Sequence, residues 1–213
     1  MTILFQGDSI TDGGRSRDED PNHVMGHGYA YLAAARLGAD FPGRGYRFVN
    51  RGISGHRSVD LYARWQEDAL SLAPDVVSIL MGVNDVGHAY MGKKSAGGIK
   101  PAKFEKVYRL ILSETLEPLP SVRFLLCEPF GLAVGVVQVE NGYLGWLDEL
   151  REVTRRVAQD FGATFVPLQD LFTDAARNGG AQAWLWDGIH PTPAGHELIA
   201  RRWVAAFLES PPS

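Results

Sequence analysis

Asp187 and His190 stand three residues apart in Trp186-Asp187-Gly188-Ile189-His190-Pro191, and Ser9 stands near the other end of the chain in Gly7-Asp8-Ser9-Ile10-Thr11-Asp12. These residue types suit acyl transfer by serine. The hydroxyl needs a base within hydrogen-bond reach, the base needs an acceptor for its other ring nitrogen, and the developing oxyanion needs fixed donors. Gly188 permits a tight turn and Pro191 biases His190 toward an extended backbone, so one short loop can present both side chains. Asp187 would hold one imidazole nitrogen and leave the other for Ser9. Two more segments supply donors. Gly52, in Asn50-Arg51-Gly52-Ile53-Ser54-Gly55, offers bare backbone to an approaching substrate, and Asn84, in Gly82-Val83-Asn84-Asp85, offers an uncharged amide. The expected catalytic residues are therefore Ser9, Asp187 and His190, and the expected oxyanion donors are the N–H groups of Ser9 and Gly52 and the amide of Asn84.

Taken singly, each segment has an ordinary reading. Asp8 and Ser9 could cap a helix, Gly52 or Asn84-Asp85 could form a turn, and Asp187 could cap the chain before His190. Their joint occurrence, each in its expected place, is what points to chemistry. Asp8 is expected to face away from the oxyanion and accept from loop amides. Asp85 and His88 also read D-x-x-H, a spacing open to a metal or a base, but there is no H-E-x-x-H and one cysteine allows no Cys-paired zinc site, so no metal is expected. A phosphatase with paired aspartates would need a second Asp at position 10, which is Ile. No G-x-G-x-x-G follows the first strand, and no G-x-S-x-G surrounds Ser9. Trp184 and Trp186 precede Asp187 and either stack on a sugar ring or pack the loop. Arg57 either binds substrate hydroxyls or pairs with a neighbouring acid. His23, His27, His56 and His196 read as solvent-facing or helix-associated, and Cys127 as a buried, inert strand residue.

The elements that must position these groups are legible as short apolar runs ending in turn signals: Ile3–Phe5 into Gly7, Tyr46–Val49 into Asn50, Val76–Met81 into Gly82, Val122–Cys127 into Glu128-Pro129, and Ala163–Val166 into Pro167. Each suits a strand buried on both faces. Between them Phe104, Val107, Tyr108, Ile111 and Leu112 recur at helical spacing after Pro101, and Leu150, Val153, Val157 and Phe161 mark a second helix closed by Gly162. Thr192-Pro193 opens a third that carries Ile199, Trp203, Ala206 and Phe207 inward. Alternation of this kind predicts an α/β fold with a mostly parallel sheet covered by helices on both faces. Sites in such sheets form beyond the carboxyl ends of the strands, where three of the four segments fall; the fourth lies outside any clear strand.

Composition bounds the rest. The chain has 213 residues, 45% of them apolar and 22% charged, and a formal net charge of −4. That predicts a single folded domain over 1–213, without the basic excess of a nucleic-acid binder and without affinity for an anionic membrane. No apolar run reaches a membrane span. The opening Met1–Gly7 lacks a basic region and reads as the first strand, and a cytoplasmic enzyme is the default expectation.

With these blocks in place, the sequence resembles the SGNH/GDSL hydrolase family, whose four blocks supply Ser, Gly, Asn and His; here they match Ser9, Gly52, Asn84, and Asp187 with His190. The resemblance implies a three-layer, flavodoxin-like five-stranded sheet in the order 2-1-3-4-5, and a two-step ester hydrolysis without a cofactor. Gly26-His27-Gly28-Tyr29, Val49–Asp68, Ser78–Asp85 and Ala183–Asp187 look like bacterial intracellular acetylxylan esterases of that family, which implies an acetylated xylo-oligosaccharide as the small-molecule substrate and leaves a homo-oligomer open. The segment Gly131–Val137 is more apolar than that branch suggests, so other small esters stay open. The alternatives are a broader GDSL lipase/acylhydrolase or thioesterase, and a non-catalytic carbohydrate-binding protein on the same scaffold.

Overall fold

The computed structural model describes residues 1–18, 20–90, 97–137 and 142–209. Five parallel strands, β1 (Thr2–Gly7), β2 (Arg47–Asn50), β3 (Val76–Leu80), β4 (Arg123–Cys127) and β5 (Thr164–Val166), form one sheet in the order β2-β1-β3-β4-β5. The three central strands are buried almost throughout, whereas β2 and β5 are partly exposed. Burial on both faces thus holds for the middle of the sheet and fails at its edges, where a single neighbour covers each strand.

Nine helices are described: α1 (Ser9–Asp12), α2 (Tyr29–Asp40), α3 (Ser58–Ala63), α4 (Trp65–Asp68), α5 (Val83–Tyr90), α6 (Pro101–Leu116), α7 (Tyr143–Asp160), α8 (Gln169–Gly179) and α9 (Pro193–Glu209). They lie on both faces, as side-chain alternation along β1 requires. Phe5 packs its ring on Tyr29 of α2 and Trp203 of α9, while its neighbour Gln6 points the other way and donates to the Asp68 carbonyl of α4. Trp203 is fully buried and donates its indole N–H to Ser78 Oγ of β3 at 2.8 Å; burying a side chain of this kind contributes about 1.5–3 kcal/mol, and the hydrogen bond removes the cost of its polar edge. Cys127 is buried beside Ser78, and burial pushes its thiol up to about 12, so it stays protonated.

Helix α9 starts as its sequence predicts: Thr192 Oγ1 accepts from the Gly195 N–H. Helix α7 begins seven residues before Leu150, the first residue of the apolar pattern, because Tyr143 and Leu147 extend its buried face. Helix α5 starts one residue after Gly82, so Asn84 and Asp85 belong to a helical turn rather than to a loop.

The register sets the rim of the site. Gly7, Leu80 and Cys127 are level with one another across the sheet, and Phe5 is level with Asn50. Ser9, Gly52 and Asn84 each follow within four residues of a strand end.

Candidate active site

Asp8 caps α1: one carboxylate oxygen accepts from the Ile10 N–H at 3.0 Å, which starts the helix at Ser9 and lifts its side chain above the end of β1. Gly7 must lack a side chain here, since a Cβ would lie 2.2 Å from Thr11 Oγ1. The loop before α9 supplies the partners. Ser9 Oγ lies 3.0 Å from His190 Nε2, and His190 Nδ1 lies 2.7 Å from Asp187 Oδ2. The other Asp187 oxygen accepts from the backbone N–H groups of Ile189 and His190, at 2.9 and 2.7 Å. Burial works against the charge of Asp187, but these two N–H groups and the imidazole outweigh it and hold the carboxyl below the usual carboxylate range. A hydroxyl, an imidazole and a charged carboxylate in line can move a proton from the serine to the histidine.

The Asp187–His190 loop is held from both sides. The apolar segment after β4 binds it through backbone: Leu132 donates to the Gly188 carbonyl at 3.0 Å and Val136 to the Asp187 carbonyl at 3.0 Å. A Cβ at Gly135, with its positive φ, would come within 2.7 Å of Asp187 backbone, so the contact needs glycine. The segment Gly131–Val137 therefore braces, through its backbone, the loop that carries His190. On the other side Trp186 stacks on the His190 ring, with centroids 5.7 Å apart, and is 58% exposed.

Asn50 ties the second segment to the first. Its side-chain amide donates to the carbonyls of Thr11 and Met25, at 2.7 and 2.9 Å, and its carbonyl accepts from the Gly52 N–H at 2.9 Å. Gly52 has a different reason to be glycine from the one expected: a Cβ there would lie 2.4 Å from the Asp12 backbone nitrogen, so it is the α1 turn, rather than a substrate, that presses against it. Asn84 donates one amide hydrogen to the His56 carbonyl at 3.1 Å, which leaves its second hydrogen for another acceptor. Arg64 braces the same rim, reaching the carbonyls of Arg51 and Gly7 and the His56 ring. Neither Asn50 nor Arg64 stands out in the sequence; both act through backbone carbonyls that a motif does not show.

Other candidates fall elsewhere. Arg57 is not among the residues lining the cleft above Ser9: its guanidinium binds Asp60 and the Gly97 carbonyl, the acid-pairing reading. Trp184 packs its loop by donating to the Ala175 carbonyl, whereas Trp186 lines the cleft. Asp85 is buried with both oxygens turned to the Ser58 N–H and one to the Ser58 hydroxyl, so it is not paired with His88. Among the described residues no three His, Cys, Asp or Glu side chains cluster to hold a metal, and no helix is long and apolar enough to cross a membrane.

The cleft holds about 370 Å³ and is lined by Ser9, His190, Trp186, His27, His196 and Ser54 among others. That lies in the range of small-molecule sites, about 300–1,000 Å³. A larger groove of about 690 Å³ lies on α7, lined by Glu105, Arg151 and Arg156, and includes none of these residues.

The model of the GDSL-like Lipase/Acylhydrolase family matches residues 5–198, so that all four segments lie inside the match. The chain belongs to that family. An acetylxylan esterase from Geobacillus stearothermophilus is 33% identical over 95% of this chain and 91% of its own. Its crystal structure superposes on this chain with a TM-score of 0.87, covering 96% of this chain and 93% of the other, and it has also been crystallised as catalytic mutants with a serine or an aspartate replaced by alanine. A protein from Parabacteroides merdae assigned as a GDSL-like lipase gives a TM-score of 0.90 at 37% identity, covering 96% of this chain and 94% of that one. These matches make the chain an esterase or acylhydrolase of the five-stranded parallel SGNH fold.

The second oxygen of Asp8 is buried without a hydrogen-bond partner, and burial pushes the carboxyl up to about 7. The expectation of a carboxylate satisfied by several loop amides is replaced by one amide contact and one orphan oxygen. With a folded value above the unfolded one, this group's contribution to stability is complete below about 4 and fades as the pH rises through about 7. Asp8→Asn keeps an acceptor for Ile10 and removes the charge. Its melting temperature should therefore exceed that of the parent at pH 8, by less at pH 5, and meet it only near pH 4, as calorimetry across that range will show.

Proposed function

We propose that this chain is a serine esterase that removes short acyl groups, acetyl foremost, from hydroxyl-bearing alcohols, with acetylated xylo-oligosaccharides as the leading substrates. The observation that carries the reading is the unbroken line from Ser9 Oγ through His190 to Asp187, at 3.0 and 2.7 Å. Ser9 attacks the acyl carbonyl as His190 Nε2 takes its proton. Asp187 keeps Nδ1 protonated and stabilises the imidazolium. The oxyanion falls to the Ser9 N–H and the second amide hydrogen of Asn84; Gly52 joins by sharing the proton it gives to Asn50. His190 then protonates the departing alcohol, and a water activated by the same imidazole releases the acid.

The sugar assignment draws on the 33% identity to an acetylxylan esterase and on the exposed Trp186 face beside His190. The acetyl group draws on the same relative. NMR of carboxylic acid release from acetylated xylo-oligosaccharides, beside glycerol acetates, thioesters and long-chain esters, tests it: the sugar acetates should turn over fastest, and a preference for long acyl chains or thioesters would overturn the assignment. Removing one oxyanion donor costs about 10²–10³ in turnover. Asn84→Ala should lose that much on an acetyl ester at an unchanged melting temperature, because Asn84 is partly exposed and makes one protein contact.

A further inference from the structure

His196 lies in the first turns of α9, five residues beyond Pro191, and is 8% exposed in the wall of the cleft. Its Nδ1 accepts from the Tyr29 backbone N–H at 3.1 Å, at the start of α2. A neutral imidazole whose Nδ1 accepts must carry its proton on Nε2. Among the described residues that atom has no hydrogen-bond partner and is not among the buried orphan atoms, and His196 lines the cleft. Burial, with His27 and His190 facing the same space, pushes the ring down to about 4, so it stays neutral as His190 gains its proton.

The side of the cleft decides what meets this donor. The walls around His196 are Trp186, His190 and Pro191 from one loop and Gly13, Gly14 and His27 from another, whereas Gly52 and Asn84 lie outside. His190 must hand its proton to the leaving oxygen, so the leaving alcohol occupies the space beside it.

We propose that His196 is a specificity residue for the alcohol half of the ester: a pinned, uncharged N–H donor that recognises a hydroxyl or ring oxygen next to the ester bond. This rests on the esterase reading above and deepens it. A fixed donor discriminates well, because an alcohol lacking the acceptor leaves it unpaired.

His196→Asn separates this role from a structural one, since the asparagine carbonyl can still accept from Tyr29 while the Nε2 donor is lost. Activity is compared on phenyl acetate, whose alcohol has no further oxygen, and on glyceryl monoacetate, which has two free hydroxyls. The variant should keep phenyl acetate turnover within about twofold and lose about 5–10-fold in kcat/KM on glyceryl monoacetate, mainly through KM, the size of one hydrogen bond. Equal losses on both esters, or none, would overturn the proposal while leaving the esterase intact; no turnover of either ester by the parent would instead overturn the esterase reading. Should Asn destabilise the fold, long-range proton–nitrogen NMR of Ser9→Ala gives a second readout. Glycerol should shift the His196 Nε2 signal, and an unmoved signal at saturating glycerol contradicts the assignment.

Discussion

Ser9→Ala should lower turnover of an acetyl ester by on the order of 10⁶-fold without unfolding the protein. The size follows from what remains. His190 and Asp187 still stand together, but the imidazole has no hydroxyl to activate, and only positioning and oxyanion donation are left. The stability claim follows from α1. Its cap is the Asp8 carboxylate on the Ile10 N–H, and its last turn closes through the Gly13 N–H on the Ser9 carbonyl, both of which survive the change. Ser9 Oγ has His190 as its contact, so the melting temperature should move by little. Steady-state assay and thermal melting, run side by side, check both parts. A mere tenfold loss would assign the chemistry to another residue.

Asp187→Asn should cost about 10⁴-fold, for a reason specific to its two oxygens. Oδ1 accepts from two backbone N–H groups and shapes the loop, while Oδ2 accepts from His190 Nδ1. Asparagine retains its carbonyl for the loop and turns its amide toward Nδ1, which must then accept. The proton moves to Nε2, and His190 donates to Ser9 instead of receiving from it. Loop geometry and melting temperature should therefore hold while kcat collapses. Asp187→Ala should lose the loop contacts as well, so its melting temperature should fall below that of the asparagine variant. If the two variants are equally active and equally stable, Asp187 does not set the tautomer.

Much of this architecture is written in local pattern. The central strands are continuous apolar runs because both faces are covered, and the Thr192-Pro193 start of α9 follows from capping chemistry alone. The loop from Asp187 to His190 is legible for the same reason: its turn, its acceptor and its base lie within four residues. What was not legible depends on distant contacts. Asn50 looks like a strand-end residue until its amide meets the carbonyls of Thr11 and Met25. Arg64 looks like one arginine among many until, between α3 and α4, it reaches the ends of β1 and β2. The apolar stretch 131–137 looks like a departure until its backbone meets Asp187 and Gly188. His196 reads as a helix residue, which it is, but its second nitrogen faces the cleft only because Tyr29 occupies the first. Helical periodicity and motif spacing carry no record of such pairings.

The most direct test of the account is covalent. A fluorophosphonate reacts with a serine hydroxyl that a neighbouring base has activated. Intact-protein mass spectrometry followed by peptide mapping should show one adduct on Ser9, no adduct in Ser9→Ala, and labelling slowed at least a hundredfold in His190→Ala. An adduct on another residue, or a Ser9 that labels equally fast without His190, would contradict it.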